Sequence, residues 1–433
     1  MSTPVARMRD RRTADRPSSG CADHRRGAYA RVRLPGTVLI IAAAATILSL
    51  AMGIRQSLGI IMVPVSIDIG MSIAQFTFAI AAQNLIWGLT QPFVGALSVR
   101  TGFRPILIVG GVLYIGGLVL LALADGRWAV MLGAGGMIGV AMSCAGPAIA
   151  MAITAKVVSP AQRSLALGIV SAAGSVGAMV AAPIGQFLAA EHGWRLGVVG
   201  FLCLAVLMIP AAWLAGRSDR VAVPSGAAGF AGSAGDALRL ASREPSFVIM
   251  ACAYFVCGMQ LVFITTHLPA YLQLCGMDPM LSASALGTIG AFNVLGSLFF
   301  GWAGGRFNKL ALLAGIYILR SFVLTWYFTL PPTPGSTILF AGAMGFLWLG
   351  VSPLVAGAVV DMFGLRWQAM LQGVAFFGHQ LGSFVGAFGG GLVFTASGSY
   401  DLAWRIGVAV GLFAGVVQLA GAIVRPSERL ATG

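Results

Sequence analysis

Charge is what this chain of 433 residues has least of. Only 9% of it is Asp, Glu, Lys or Arg, against about 25% in an ordinary globular protein. So few charged side chains cannot cover the surface of a water-soluble fold of this length, and lipid is the expected solvent for much of it. Acids are scarcer still, 13 against 27 basic residues. Each acid falls in a tail, in a loop or at the end of an apolar run. No carboxylate is therefore left inside a membrane segment to carry a proton or to recognise a cationic solute.

Cysteine is sparse and unpatterned. Cys21, Cys144, Cys203, Cys252, Cys257 and Cys275 form no CxxC pair, which argues against a zinc site or a disulfide framework. Buried cysteine acting as a small apolar residue is the simpler reading. There is no HExxH, no P-loop and no Ser/Lys or Cys/His pair in register. No catalytic residue, metal or cofactor is nominated, and an enzyme or sensor is a remote alternative. The apolar runs do not alternate with polar residues, which excludes a membrane barrel and leaves helices.

What is abundant is hydrophobicity, at 58% of residues. A bilayer core takes about 20 apolar residues per helix. Runs of that kind lie at 34–54, 69–99, 105–124, 128–155, 164–190 and 196–216, then at 245–277, 279–305, 310–330, 335–360, 367–400 and 406–424. The first continues past Arg55, and 310–330 is interrupted only by Arg320. The expected fold is an all-α integral membrane protein with twelve transmembrane helices in two six-helix bundles, 34–216 and 245–424. Between them, 217–244 is polar and rich in Gly, Ala and Ser, which reads as a flexible cytoplasmic linker. Residues 1–33 carry nine Arg and three Asp. The twin Arg11–Arg12 is followed by a run long enough to span, so 1–33 reads as a disordered cytoplasmic tail rather than a cleaved signal, and 425–433 as a second tail.

With the N-terminus inside and the spans alternating, inner segments hold 22 Lys and Arg and outer segments hold 3. That asymmetry places both termini in the cytoplasm. The formal net charge of +14 thus follows membrane topology and calls for no nucleic-acid partner.

The chain also repeats itself. Gly70 and Gly276, Gly95 and Gly301, Arg100 and Arg306, Gly139 and Gly345, and Pro147 and Pro353 are each separated by 206 positions. Two homologous halves are expected, related by an axis along the membrane normal, with a solute site between them near mid-membrane.

At this point the sequence resembles the major facilitator superfamily over most of 34–424. The resemblance rests on the loop after span two, with Gly95, Arg100, Gly102 and Arg104, and on its echo Gly301, Arg306 and Lys309. In that family this loop is a gate latch. The superfamily pattern places an Asp before the Arg, but Val99 and Gly305 stand there, so Arg100 and Arg306 are expected to pair elsewhere, for instance with Asp361. Finer features resemble the bacterial branch near monocarboxylate porters and oxalate/formate antiporters. These are Gly53 to Gly59 with Arg55 and Ser57, then Pro64; Arg163 to Gly168; and Thr266, His267, Pro269 and Tyr271. Many monocarboxylate porters carry an acid and an Arg in span eight, where this chain has Asn293 and Ser297. The resemblance implies a secondary transporter working by alternating access, with a small anionic solute, a proton or counter-anion as possible co-substrate, and a monomer as the functional unit.

Arg55 is the sharpest candidate. An arginine at mid-membrane costs about 2.5–3.5 kcal/mol, and its planar fork can hold a carboxylate at two points. The competing reading is an arginine that snorkels to the outer interface or caps a carbonyl. Arg320 sits in a span that is peripheral in the resembled fold, which favours a structural role. His267, and His379 with Gln380, are candidates for solute or proton binding; Asn84, Gln260 and Asn293 are polar candidates beside them. Helix–helix hydrogen bonding is the alternative for each. The functional expectation is a transporter of small organic anions, with a multidrug or hydrophobic-compound exporter as the alternative.

Overall fold

A computed structural model describes residues 34–223 and 227–424. The two tails read from the sequence lie outside the described residues. Among those described the chain is helical and has no strand.

Twelve long helical segments follow one another: α1 (Gly36–Asp68), α2 (Ile73–Thr101), α3 (Phe103–Ala122), α4 (Arg127–Val157), α5 (Pro160–His192), α6 (Trp194–Arg220), α7 (Pro245–Leu274), α8 (Pro279–Ala303), α9 (Lys309–Thr329), α10 (Pro334–Phe363), α11 (Gln368–Ser397) and α12 (Asp401–Val424). Ten of them are long and apolar enough to cross a membrane. The other two, α2 and α11, are as long, at 29 and 30 residues, but more polar. Their glutamines explain this: Gln83, Gln91, Gln368, Gln372 and Gln380 are all buried. These two helices turn amides toward protein rather than lipid, and they pack against each other where the halves of the chain meet.

The first six helices share one apolar core and the last six share two others. Glycines let the axes approach closely, as is usual where lipid supplies no hydrophobic drive between helices. The sequence repeat recurs in these contacts. A Cβ on Gly139 would lie 3.0 Å from the carbonyl oxygen of Gln83, and one on Gly345 would lie 2.5 Å from that of Ile289. Both members of the second pair are shifted by 206 from the first.

The paired prolines break helices in both halves. Proline cannot donate to the carbonyl four residues earlier, and its ring pushes that carbonyl away. Pro147 restarts α4 after an extended Gly146, and the carbonyl of Ser143 accepts from Gln91 Nε2 at 3.0 Å. Pro353 follows an irregular turn at 347–350 in α10, and the carbonyl of Leu349 accepts from Ser171 Oγ at 3.4 Å.

The linker is more ordered than its composition suggests. Ala234–Arg243 is a helix with a capping box between Ser233 and Asp236. Before it, Leu365 and Arg366 donate backbone N–H groups to Ala227 and Ala228 at 3.2 and 3.0 Å. Small side chains, which read as flexibility, here allow backbone to lie against the α10–α11 connection.

Gly177 faces the backbone of Ser49 with no room for a Cβ, whereas Gly315 has open space around it. Gly177→Val is expected to cost about 1–3 kcal/mol or more through overpacking. It should lower the detergent-solubilised melting temperature and the monodisperse yield, while Gly315→Ala leaves both near the parent values.

Candidate functional site

The site is built where α1 and α2 face α7, α10 and α11. Arg55 lies in the second half of α1. Its Nη2 donates to Asn84 Oδ1 of α2 at 2.5 Å, and its guanidinium sits 5.3 Å from the Trp87 ring centroid. Its Nε is buried without a hydrogen-bond partner, and no carboxylate pairs with it among the described residues. A half-buried cation held by one neutral amide and one aromatic face retains capacity for an anion.

Across the seam, α11 supplies Phe376, His379 and Gln380. Trp87 and Phe376 approach to 4.5 Å between centroids, and Phe376 and His379 are parallel within 10° at 5.5 Å. Tyr254 of α7 closes the cluster, 4.7 Å from His379. Gln380 packs on Gly88, one helical turn from Asn84, and its Nε2 is buried without a partner. The structure therefore brings Arg55, Asn84, His379 and Gln380 to one place, and it adds Trp87, Tyr254 and Phe376. Trp87 and Tyr254 stand out in the sequence only as aromatic residues, for which packing is the ordinary explanation. No sequence signal singles out Phe376.

The remaining candidates lie elsewhere. His267 Nε2 donates to the carbonyl of Ala387 at 2.9 Å, and its Nδ1 is 3.3 Å from the Tyr400 hydroxyl. Both ring nitrogens thus have partners inside the C-terminal half. Gln260 donates to the carbonyl of Gly407 at 2.9 Å and lines an apolar cleft with Phe263, Gly390 and Trp404. Asn293 accepts from the backbone N–H of Leu349 at 3.2 Å, in the broken turn of α10. All three make the helix–helix bonds that were the alternative reading for such residues.

Comparison with known proteins agrees with this architecture. The family model for the Major Facilitator Superfamily matches residues 39–387. The chain belongs to the Major Facilitator Superfamily. It is 24% identical to an uncharacterised MFS-type transporter, YcxA, of Bacillus subtilis, over 84% of this chain and 90% of that one. It is 21% identical to monocarboxylate transporter 13 of Bos taurus, over 86% and 84%. It is 25% identical to the fujikurins efflux protein of Gibberella fujikuroi, over 78% and 70%. Among solved structures, the transporter FucP in its outward conformation superposes with a TM-score of 0.72 at 14% identity, covering 88% of this chain and 98% of that one. The protein is thus a multi-pass membrane transporter of this superfamily.

The superfamily loop after α2 lies on the face that carries the linker. Gly95 and Gly301 hold the two halves together there. A Cβ on Gly95 would lie 2.5 Å from the backbone nitrogen of Met370, and one on Gly301 would lie 2.6 Å from the Cα of Gly168. Ser164 and Gly304 touch beside the latter contact. Among the described residues α1 and α7 do not pack extensively against each other, and the close glycine contacts between the halves lie toward their linker-side ends.

The expected pairing of Arg306 with Asp361 is not found. Asp361 instead accepts from Lys309 at 2.6 Å, which starts α9, while Arg306 lies over Trp302 at 4.4 Å. Arg100 is exposed. A carboxylate does reach this loop from elsewhere in the chain. Asp219, at the end of α6, accepts from the backbone N–H groups of Phe103 and Arg104 at 2.8 and 2.9 Å. Gly102, at φ +83°, turns the chain so that the N-terminus of α3 faces that anion, a favourable place for negative charge. Arg104 itself covers Trp213 at 4.4 Å.

A Cβ on Gly168 would first meet Ser297 and Gly301 of the other half, so Gly168→Leu should leave each half folded but force the linker-side ends apart. Spin labels at Thr101→Cys and Arg366→Cys, in a background without the exposed cysteines, should report a longer distance than in the parent. An unchanged distance would show that these glycines do not hold the closure.

Proposed function

We propose that the protein moves a small organic anion, most simply a monocarboxylate, across the bacterial cytoplasmic membrane by alternating access. The observation that carries this reading is Arg55. It is a cation at the seam between the halves, with a buried, unpartnered Nε and no carboxylate beside it. The nine acids among the described residues all lie in loops or near helix ends. An anionic solute is then the natural counter-charge, with Asn84 and Gln380 offering amides and His379 completing the wall.

In this reading all twelve long helices cross the membrane. The helices α2 and α11 meet where the halves join and carry Asn84, His379 and Gln380 to the solute path. The units that rock are 34–216 and 245–424, joined by the linker 217–244. The linker face is cytoplasmic, as the distribution of basic residues requires, and both termini lie on that side. The packed linker-side ends then make this an outward-facing arrangement. With no acid inside the spans, a coupled proton would ride on His379 or on the solute's own carboxyl; exchange against a second anion needs neither. The protein acts as a monomer, with no cofactor.

The test is counterflow in liposomes against a panel of labelled monocarboxylates, with and without a pH gradient. Arg55→Ala is expected to lower kcat/KM for the best anion by about tenfold to a hundredfold, the range for losing a charge-assisted hydrogen bond of about 1.5–3 kcal/mol. Arg55→Lys should recover only part, because an ammonium lacks the planar fork. Undiminished anion transport in Arg55→Ala, or movement of neutral hydrophobic compounds alone, would sink the anion reading.

A further inference from the structure

Arg320 is a second cation within the helices, wholly buried and with its donors engaged by the protein. Its Nε and Nη2 donate to the carbonyl of Leu347 at 3.1 and 2.7 Å, and Nη2 also donates to that of Trp348 at 2.9 Å. Its Nη1 donates to Cys257 Sγ at 3.1 Å. No carboxylate pairs with it among the described residues.

The carbonyls explain how the charge is tolerated. The first part of α10 ends at Phe346, and Leu347 and Trp348 lie in the turn that follows. The last carbonyls of a helix have no intrahelical partners, and together they carry partial negative charge. In a membrane such groups must be satisfied within the protein. A planar guanidinium spans two successive carbonyls and still has a donor for α7; an ammonium presents a single point.

These anchor points lie close to the site. On α7, Cys257 is one turn beyond Tyr254, whose ring abuts His379. On α10, Trp348 is one turn before Ser352. Tyr254 and Ser352 line one small cavity with Trp87, Gln372 and Phe376. We propose that Arg320 is a positioning residue. It ties α7 to the broken turn of α10, and so fixes the Tyr254–Ser352 wall of the seam against His379. The inference rests on the transport reading for its location, but not on the charge of the solute.

Arg320→Lys, Tyr254→Leu and the double variant are compared in liposomes with whichever solute the panel shows to be moved. Arg320→Lys is expected to stay folded and to raise the half-saturation concentration about fivefold, equivalent to about 1 kcal/mol. Amides of 347–352 should exchange hydrogen faster, with or without solute. The double variant should be no worse than Tyr254→Leu alone, since both changes disturb one wall. An unchanged half-saturation with only a lower melting temperature, additive effects in the double variant, or unchanged exchange at 347–352 would each overturn the proposal. If Arg320→Lys fails to fold, Cys257→Val removes one partner and leaves the cation. It should raise half-saturation more modestly, with Cys257→Ser restoring it; equal values for the two variants would also overturn the proposal. A neutral solute would end the anion reading and leave this test intact.

Discussion

A carbonyl released inside a membrane has no water to turn to, and this constraint organises the middle of the molecule. Pro147 and Pro353 each release the carbonyl four residues earlier. A side chain from another helix answers each one, Gln91 at Ser143 and Ser171 at Leu349, whose carbonyl also accepts from the backbone N–H of Ser352 at 3.3 Å. A third polar contact of this kind serves the π-helical turn of α4, where Gln83 donates to Ala134 at 2.5 Å. The helix breaks therefore dictate where amides and hydroxyls must sit. Much of the polar inventory of α2 follows from backbone chemistry rather than from solute recognition.

That division clarifies the two arginines. Arg320 spends its donors on carbonyls and a thiol, so its charge is matched by a helix end. Arg55 spends one donor on Asn84 and lays its face over Trp87, which leaves positive charge at the seam. Both are intramembrane cations without an acid, yet they differ in what surrounds them. A buried fork with several acceptors is a structural element; a half-buried fork with an unpartnered Nε retains capacity for a ligand.

Much of this was legible in the sequence. The offset of 206 residues predicted paired elements, and the contacts of Gly139 and Gly345 reproduce it. Arg55 drew attention as a charge inside an apolar run, and it lies at the seam. Other features depend on proximity that no local pattern encodes. Asp219 reaches the start of α3 from 115 residues away in sequence, so no local pattern points to it. His267 and Gln260 look like solute-binding residues because each is a polar group inside an apolar run. Which face of α7 each occupies depends on packing against α11 and α12, and both side chains point into their own half.

The same logic explains why the seam joins aromatic rings to amides. A surface that must part during transport cannot rest on many buried ion pairs, since separating them would strand charges at several kcal/mol each. Glycine contacts such as Gly95 on Met370 and Gly168 on Gly301 involve backbone and small groups, whose loss strands no charge. Rings such as Trp87 and Phe376 can separate and re-form against other apolar groups with little penalty. Within the cluster of Trp87, Tyr254, Phe376 and His379, the fixed charge is that of Arg55. An anion bound there would remove the one electrostatic cost of carrying that cation through a closed, lipid-surrounded intermediate. In the anion reading proposed above, the occupied site is then the state in which the seam closes at the lowest electrostatic cost.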